Sequence, residues 1–346
     1  MRARNTLVLL VLAVIALGAA WQFGLRSVPA ERTEVAPGTL VFPGLAAELP
    51  KVAGIEILHA GQTLKLGPIP GAAGKWGLSD RNFFPVQADK LRELLTGLTE
   101  LRITEARTAD SAEYARLGVE EPAAPASNSN LIRLLDAGGK PVAELIVGHR
   151  RMRTQGNLPE AIYIRRPGEA QSWLAEGRLP VDADPQLWFE RDIANIDHGK
   201  IAKVTVRRGD STLEFALVDG KLAMTGPADH PKLDEYRLEE IGRSLEMLTL
   251  SDVKPVAEQP GDKLGTCTIV TTDGTTLTIT VFKHDKDIWA QFAAAGDSKE
   301  AKDLQARVAG WTYQVGSWKE QSFVPTMDDL KETPPAPAPN DKPASQ

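Results

Sequence analysis

The feature that most constrains this chain is a stripe of apolar residues that occurs twice. Leu91, Leu94, Leu98 and Leu101 are spaced three, four and three apart, which is one face of an amphipathic helix. Leu238, Ile241, Leu245 and Leu248 repeat the spacing 147 positions later, and each stripe runs into a short apolar-acidic stretch, Ile103–Glu105 or Leu250–Asp252. Upstream, Ile55, Ile57, Leu64 and Leu66 alternate around Gly61, and Val204, Val206, Leu213 and Phe215 alternate around Gly209, 149 positions on. Alternation at period two around a glycine predicts a β-hairpin with one apolar face. A third strand follows in each copy, with Trp76 and Leu78 or with Leu222 and Met224. Beyond each stripe comes another hairpin, turning at Asp136–Gly139 or at Asp273–Gly274, and then a strand around Ile162–Ile164 or Ile288–Trp289. Each set closes on an aromatic, an acid and an apolar residue at equal spacing: Trp188, Glu190, Ile193 and Trp318, Glu320, Phe323. Local hairpins with a single helix predict an α+β class: two tandem copies of an antiparallel sheet plus one helix, over 51–196 and 197–330.

The two ends read differently. Arg2 and Arg4 precede an apolar run from Leu7 to Trp21 that resumes at Phe23 and continues to Leu25. As a helix, Thr6 to Leu25 would span about 30 Å, enough to cross a bilayer core. The expectation is a single-pass anchor over 1–25, with a cytoplasmic N-terminus and the bulk of the chain on the far side of the membrane. A cleaved signal peptide is the rival, because Gly18, Ala19 and Ala20 offer small residues to a peptidase. Residues 26–50 read as a linker. From Lys331 onward the chain holds many prolines and no large apolar side chain, so 331–346 reads as a disordered Pro/Ala-rich tail.

Composition excludes more chemistry than it supports. Forty Lys+Arg against 46 Asp+Glu give a net charge of −6, a poor footprint for nucleic acid. A single cysteine, Cys267, rules out a disulfide framework or a cysteine zinc cluster, and its alternating surroundings read as core. His59, His149, His198, His230 and His284 show no metal-ligand spacing, and no nucleophile elbow or phosphate loop is present. The reading is therefore of no catalytic residue, cofactor or metal. One cluster has binding chemistry: His149, Arg150, Arg151 and Arg153, after Gly148 at a strand end, could hold an anionic head group or an acidic partner. A solvated loop is the competing reading. Trp76, Trp173, Trp188, Trp289, Trp311 and Trp318 read as core, the common use of aromatics in alternating segments.

Several short segments together resemble a known family. They are the helix entry Pro85-Val-Gln-Ala-Asp89, the Tyr114-Ala-Arg-Leu-Gly118 segment with Pro122 after it, and Ile146-Val-Gly148. With the N-terminal apolar segment and the strand pairs, this is similar to the bacterial domain of unknown function 4340. The resemblance spans roughly Val52 to Leu330 and brings no catalytic residues. It implies an accessory role at the cell envelope beside the permease and extracytoplasmic components of gliding-motility-type ABC transporters. The expected function is thus an anchored extracytoplasmic protein acting through protein–protein contacts. The alternatives are a glycan- or lipid-binding module using a cleft between the copies and, last, an acid-dependent hydrolase.

Overall fold

The computed structural model describes residues 36–151 and 160–332. Two large antiparallel sheets carry the chain. The first contains β1 (Thr39–Leu40), β2 (Val52–His59), β3 (Gln62–Pro68), β4 (Trp76–Leu78), β5 (Phe84–Pro85), β6 (Arg102–Ala106), β7 (Asn130–Asp136), β8 (Pro141–Arg151), β9 (Ala161–Arg165) and β10 (Ser172–Glu176). The second contains β12 (Ile201–Arg208), β13 (Ser211–Val218), β14 (Lys221–Gly226), β16 (Asp252–Pro255), β17 (Asp262–Thr271), β18 (Thr276–His284), β19 (Asp287–Ala295) and β20 (Trp311–Val315). A two-stranded ribbon pairs β11 (Asp192–Ala194), which precedes the second sheet in sequence, with β15 (Leu248–Thr249), which falls between β14 and β16.

Strand order shows how the two sheets are related. The first runs β1-β6-β10-β9-β8-β7-β2-β3-β4-β5, and the second, read from its far end, runs β16-β20-β19-β18-β17-β12-β13-β14. Without the two-residue strands β1 and β5, the sheets have one topology. Registers repeat as well: Ile55 faces Leu66 and Ile57 faces Leu64, as Val204 faces Phe215 and Val206 faces Leu213. All eight residues are buried, so the period-two pattern does fix which face turns inward. At the first hairpin both Ala60 and Gly61 take positive φ (48° and 79°), as a two-residue turn matched to strand twist requires.

The α+β class is corrected by the structure: the protein is mostly β, with 43% of the described residues in strands and 23% in helix. Among the described residues seven α-helices accompany the sheets: α1 (Leu45–Glu48), α2 (Ala88–Glu100), α3 (Tyr114–Leu117), α4 (Glu235–Gly242), α5 (Lys299–Val308), α6 (Lys319–Phe323) and α7 (Met327–Leu330). The first stripe lies on α2 and its leucines are buried. The second stripe does not make a matching helix. Leu238 and Ile241 lie on α4, Leu245 ends a 3-10 turn, and Leu248 begins β15. Burial preserved the spacing there although helical geometry was lost. Nor is there one helix per copy, since α5 fills the β19–β20 connection of the second sheet.

Other boundaries move. Residues of the expected linker enter the fold: β1 pairs with β6, and Val41 and Leu45 are buried. Lys331 and Glu332, assigned to the tail, pair with Leu233 and Lys232. The expected transmembrane anchor over 1–25 and the rest of the tail lie outside the described residues. Among the described residues, no helix is long and apolar enough to cross a membrane.

One continuous core takes residues from both sheets. The junction is filled by aromatic rings. Phe84 of β5 packs edge-on against Phe189, Trp311 and Tyr313, with centroids 5.6, 5.0 and 6.1 Å away. Arg81 Nε donates to Asp252 at 3.1 Å beside them. A smaller core of Tyr114, Leu117, Val119, Leu131 and Ile146 forms where the 107–129 segment crosses the first sheet.

Candidate functional site

The basic cluster lies at the end of β8, where the register with β9 shifts between Val147 and Arg150. His149 and Arg150 are exposed and Arg151 is half-buried, while Arg153 lies outside the described residues. The His149 ring lies against Gly118, and the Arg150 guanidinium reaches the Leu179 carbonyl at 3.5 Å. Among the described residues no carboxylate pairs with Arg150 or Arg151. Their charge is therefore available to an anion.

Gly148 explains why this strand end has its shape. A Cβ there would meet the carbonyl oxygens of Leu117 and Gly118 at 2.3 and 2.7 Å, so only glycine lets the end of α3 approach β8 so closely. Gly118 is left-handed (φ 67°) and caps α3. The Tyr114–Gly118 and Ile146–Gly148 segments, far apart in sequence, thus form one packing unit. Its neighbour Arg165 is buried, donating to the Val119 and Glu169 carbonyls and to Glu121 Oε1, with its guanidinium over the Tyr114 ring. These motif residues hold the end of α3, β8 and β9 together.

The tryptophans divide. Trp173, Trp188 and Trp289 are buried, and Trp76 and Trp311 partly so. Trp318 departs from the core expectation at 69% exposed. Its repeat partner Trp188 precedes the extended segment that leads into β11, whereas Trp318 caps α6. Five residues along a helix turn through about 140°, so Trp318 and Phe323 cannot both face inward. Phe323 is the buried one, and the Trp318 indole lies on the backbone of Gly316.

A cleft that sequence spacing did not reveal opens between α4 and the β13–β14 hairpin. It measures ≈ 360 Å³, and its apolar lining includes Ile201, Leu217, Leu222 and Leu238. His198, Glu235, Glu239 and Lys221 supply polar groups, and Tyr236 stands at it 62% exposed. Glu240 beside Tyr236 raises the phenol above its ordinary value. Glu246 Oε1 meets both the His198 backbone N–H at 3.0 Å and its Nδ1 at 2.6 Å. Those bonds to His198, the backbone one foremost, hold the Glu246 carboxyl below its ordinary value.

Asp197, His198 and Glu246 bring their ligand atoms within 4.8 Å of one another. Asp197 is already engaged in capping the turn through the Gly199 N–H at 2.8 Å, and Glu246 is engaged by His198. His198 and Glu246 therefore work as a clasp between the 198–200 turn and the segment after α4, while Asp197 holds the turn itself. The residues are 48 positions apart in sequence, so no local spacing could have indicated them.

These features define a duplicated antiparallel-sheet protein with an apolar-lined cleft on its second sheet. A family profile, Domain of unknown function (DUF4340), matches residues 76–265, and the chain belongs to that family. The matched span starts at β4 and ends in β17, crossing the aromatic junction and taking in both the glycine packing unit and the cleft. Comparison with curated proteins and with solved structures gives no match.

Proposed function

We propose that this chain is a non-enzymatic extracytoplasmic protein, held at the inner membrane by its N-terminal segment and acting by contact with other proteins. The observation that carries this reading is the α4 cleft. It is apolar inside and charged at the rim, with an exposed aromatic beside it, which suits an apolar side chain or a short segment of a partner. Met247 (79% exposed) and Trp318 flank the 3-10 turn that follows α4, and Lys319 Nζ donates to the Ser244 carbonyl there. Large exposed apolar groups near a cleft are the usual composition of an interface centre. The apolar N-terminal segment supports membrane attachment. The family resemblance supports an envelope ABC transporter as the partner system, through its permease or extracytoplasmic subunits.

The glycan or lipid alternative needs a cleft between the copies. The junction is instead filled by Phe84, Trp188, Phe189 and Tyr313, all buried, and this favours the contact reading. The test is a photo-crosslinking amino acid at position 236 of the full chain in intact membranes. Crosslinks to transporter subunits, lost with a control label on the far sheet, support the proposal. Efficient labelling with no protein adduct refutes it.

A further inference from the structure

The two sheets have one topology but different edges, and their registers show which residues correspond. Leu66 faces Leu78 and Pro68 faces Trp76, while Phe215 faces Met224 and Leu217 faces Leu222. The offset of 149 carries Leu66 to Phe215 and Pro68 to Leu217. Met224 on β14 therefore stands where Leu78 stands on β4, and Leu222 where Trp76 does.

In the first copy this strand is covered. β5 sets Phe84 opposite Leu78 and Pro85 opposite Gly77, and the Val86 N–H continues the ladder to the Trp76 carbonyl at 3.1 Å. Leu78, Phe84 and Val86 are buried. In the second copy the segment that precedes α4, as β5 precedes α2, goes elsewhere. Leu233 bridges to Lys331, and the Glu332 N–H donates to the Lys232 carbonyl. The outer edge of β14 pairs with no strand among the described residues, and Leu222 and Met224 are only half-buried. Such an edge offers unpaired N–H and C=O groups to another chain.

The α4 cleft adjoins this edge. Leu222 of β14 lines it, with Leu217 and Ile201 from the neighbouring strands and Tyr236 and Leu238 from α4. A residue paired opposite Leu222, in the place Val86 holds in the first copy, would have the cleft beside it.

We propose, resting on the contact reading of the α4 cleft, that the partner engages it as an added strand. The occupant is an extended segment of another protein, antiparallel to β14, with apolar side chains opposite Met224 and Leu222. Phe84-Pro85-Val86 is the first copy's own version of that pattern, an apolar residue at every second position. Main-chain hydrogen bonds along β14 supply affinity, and the cleft selects the side chain opposite Leu222.

The experiment photo-crosslinks the full chain from position 236 in intact membranes, with and without Met224→Pro. In the first copy the Trp76 and Leu78 carbonyls both turn outward, accepting from Val86 and Phe83. The N–H of a strand residue points to the same side as its carbonyl in such a ladder, so proline at 224 removes an outward donor and spares the pairing with β13. The adduct should fall about tenfold, the cost of one main-chain hydrogen bond left unmade. An undiminished adduct overturns the added strand and leaves the contact reading standing, whereas no adduct in either chain overturns both. Because proline can also loosen the hairpin, a second measurement uses the unaltered sequence at 221–226. Hydrogen exchange of that peptide should slow about tenfold at Leu222 and Met224 in the adduct relative to the free chain, and equal exchange overturns the proposal. Edge amides already protected in the purified chain would assign the edge to the chain itself, or to a second copy where dilution removes the protection, and either overturns it.

Discussion

Phe84→Ala tests whether the two sheets stand or fall as one body. The ring is 4% exposed and is edge-on to three aromatics, two of them, Trp311 and Tyr313, on β20 of the second sheet. Removing a buried phenylalanine costs about 3–5 kcal/mol through lost transfer energy and the residual cavity. Edge-to-face pairs add ~0.5–1.5 kcal/mol each beyond burial, though not additively, which places this site near the top of that range. Phe84→Leu keeps most of the apolar volume and loses only the ring geometry, so it should cost about 1.5 kcal/mol. The assay is guanidinium unfolding followed in parallel by tryptophan fluorescence and far-UV circular dichroism. The two probes should coincide in the wild type and separate in the alanine variant, because the junction is where the units are coupled. A loss below about 1.5 kcal/mol for Phe84→Ala, or coincident probes in that variant, would refute the reasoning.

The repeat-related tryptophans should respond oppositely. Trp188→Ala is expected to cost about 3–5 kcal/mol and Trp318→Ala less than about 1 kcal/mol, both read from denaturant midpoints. Gly148→Ala forces a Cβ onto two backbone carbonyls, so it should lower stability by about 2 kcal/mol or more and lower the melting temperature accordingly. Glu246 has a depressed folded-state pKa, so its contribution is present above the ordinary carboxylate range and is lost as pH falls through the folded value. A urea midpoint that declines on acidification should therefore decline less steeply in Glu246→Gln, and parallel pH profiles would refute that role.

What the sequence made legible was strand pairing and facing, because period-two alternation ties each apolar residue to one face. That Ile55 and Leu66, or Val204 and Phe215, share an inward face follows from the alternation, whereas the turn at Gly61 or Gly209 sets them opposite each other. Class was misjudged because counting elements ignores their lengths: β8, β17, β18 and β19 are long, while α4 stops at Gly242. The α5 helix had a readable signal in Ala301, Leu304 and Val308 behind the N-cap Ser298, but it has no counterpart in the first copy and a search for repeats passes over it. Of the candidate site, the arginine cluster was visible as a local run of charge. The cleft was not, since it joins the 198–201 turn, a hairpin and α4 through folding, and nothing local marks those residues as neighbours.

Cys267 has a practical consequence. It is the chain's only cysteine, it is fully buried at the centre of the second sheet between β12 and β18, and burial pushes its thiol up to about 12. A thiol so enclosed reacts only when its surroundings open. The native chain therefore carries an internal clock. Alkylation at this one sulfur, timed by mass, reports how often the second sheet opens, without any label or substitution.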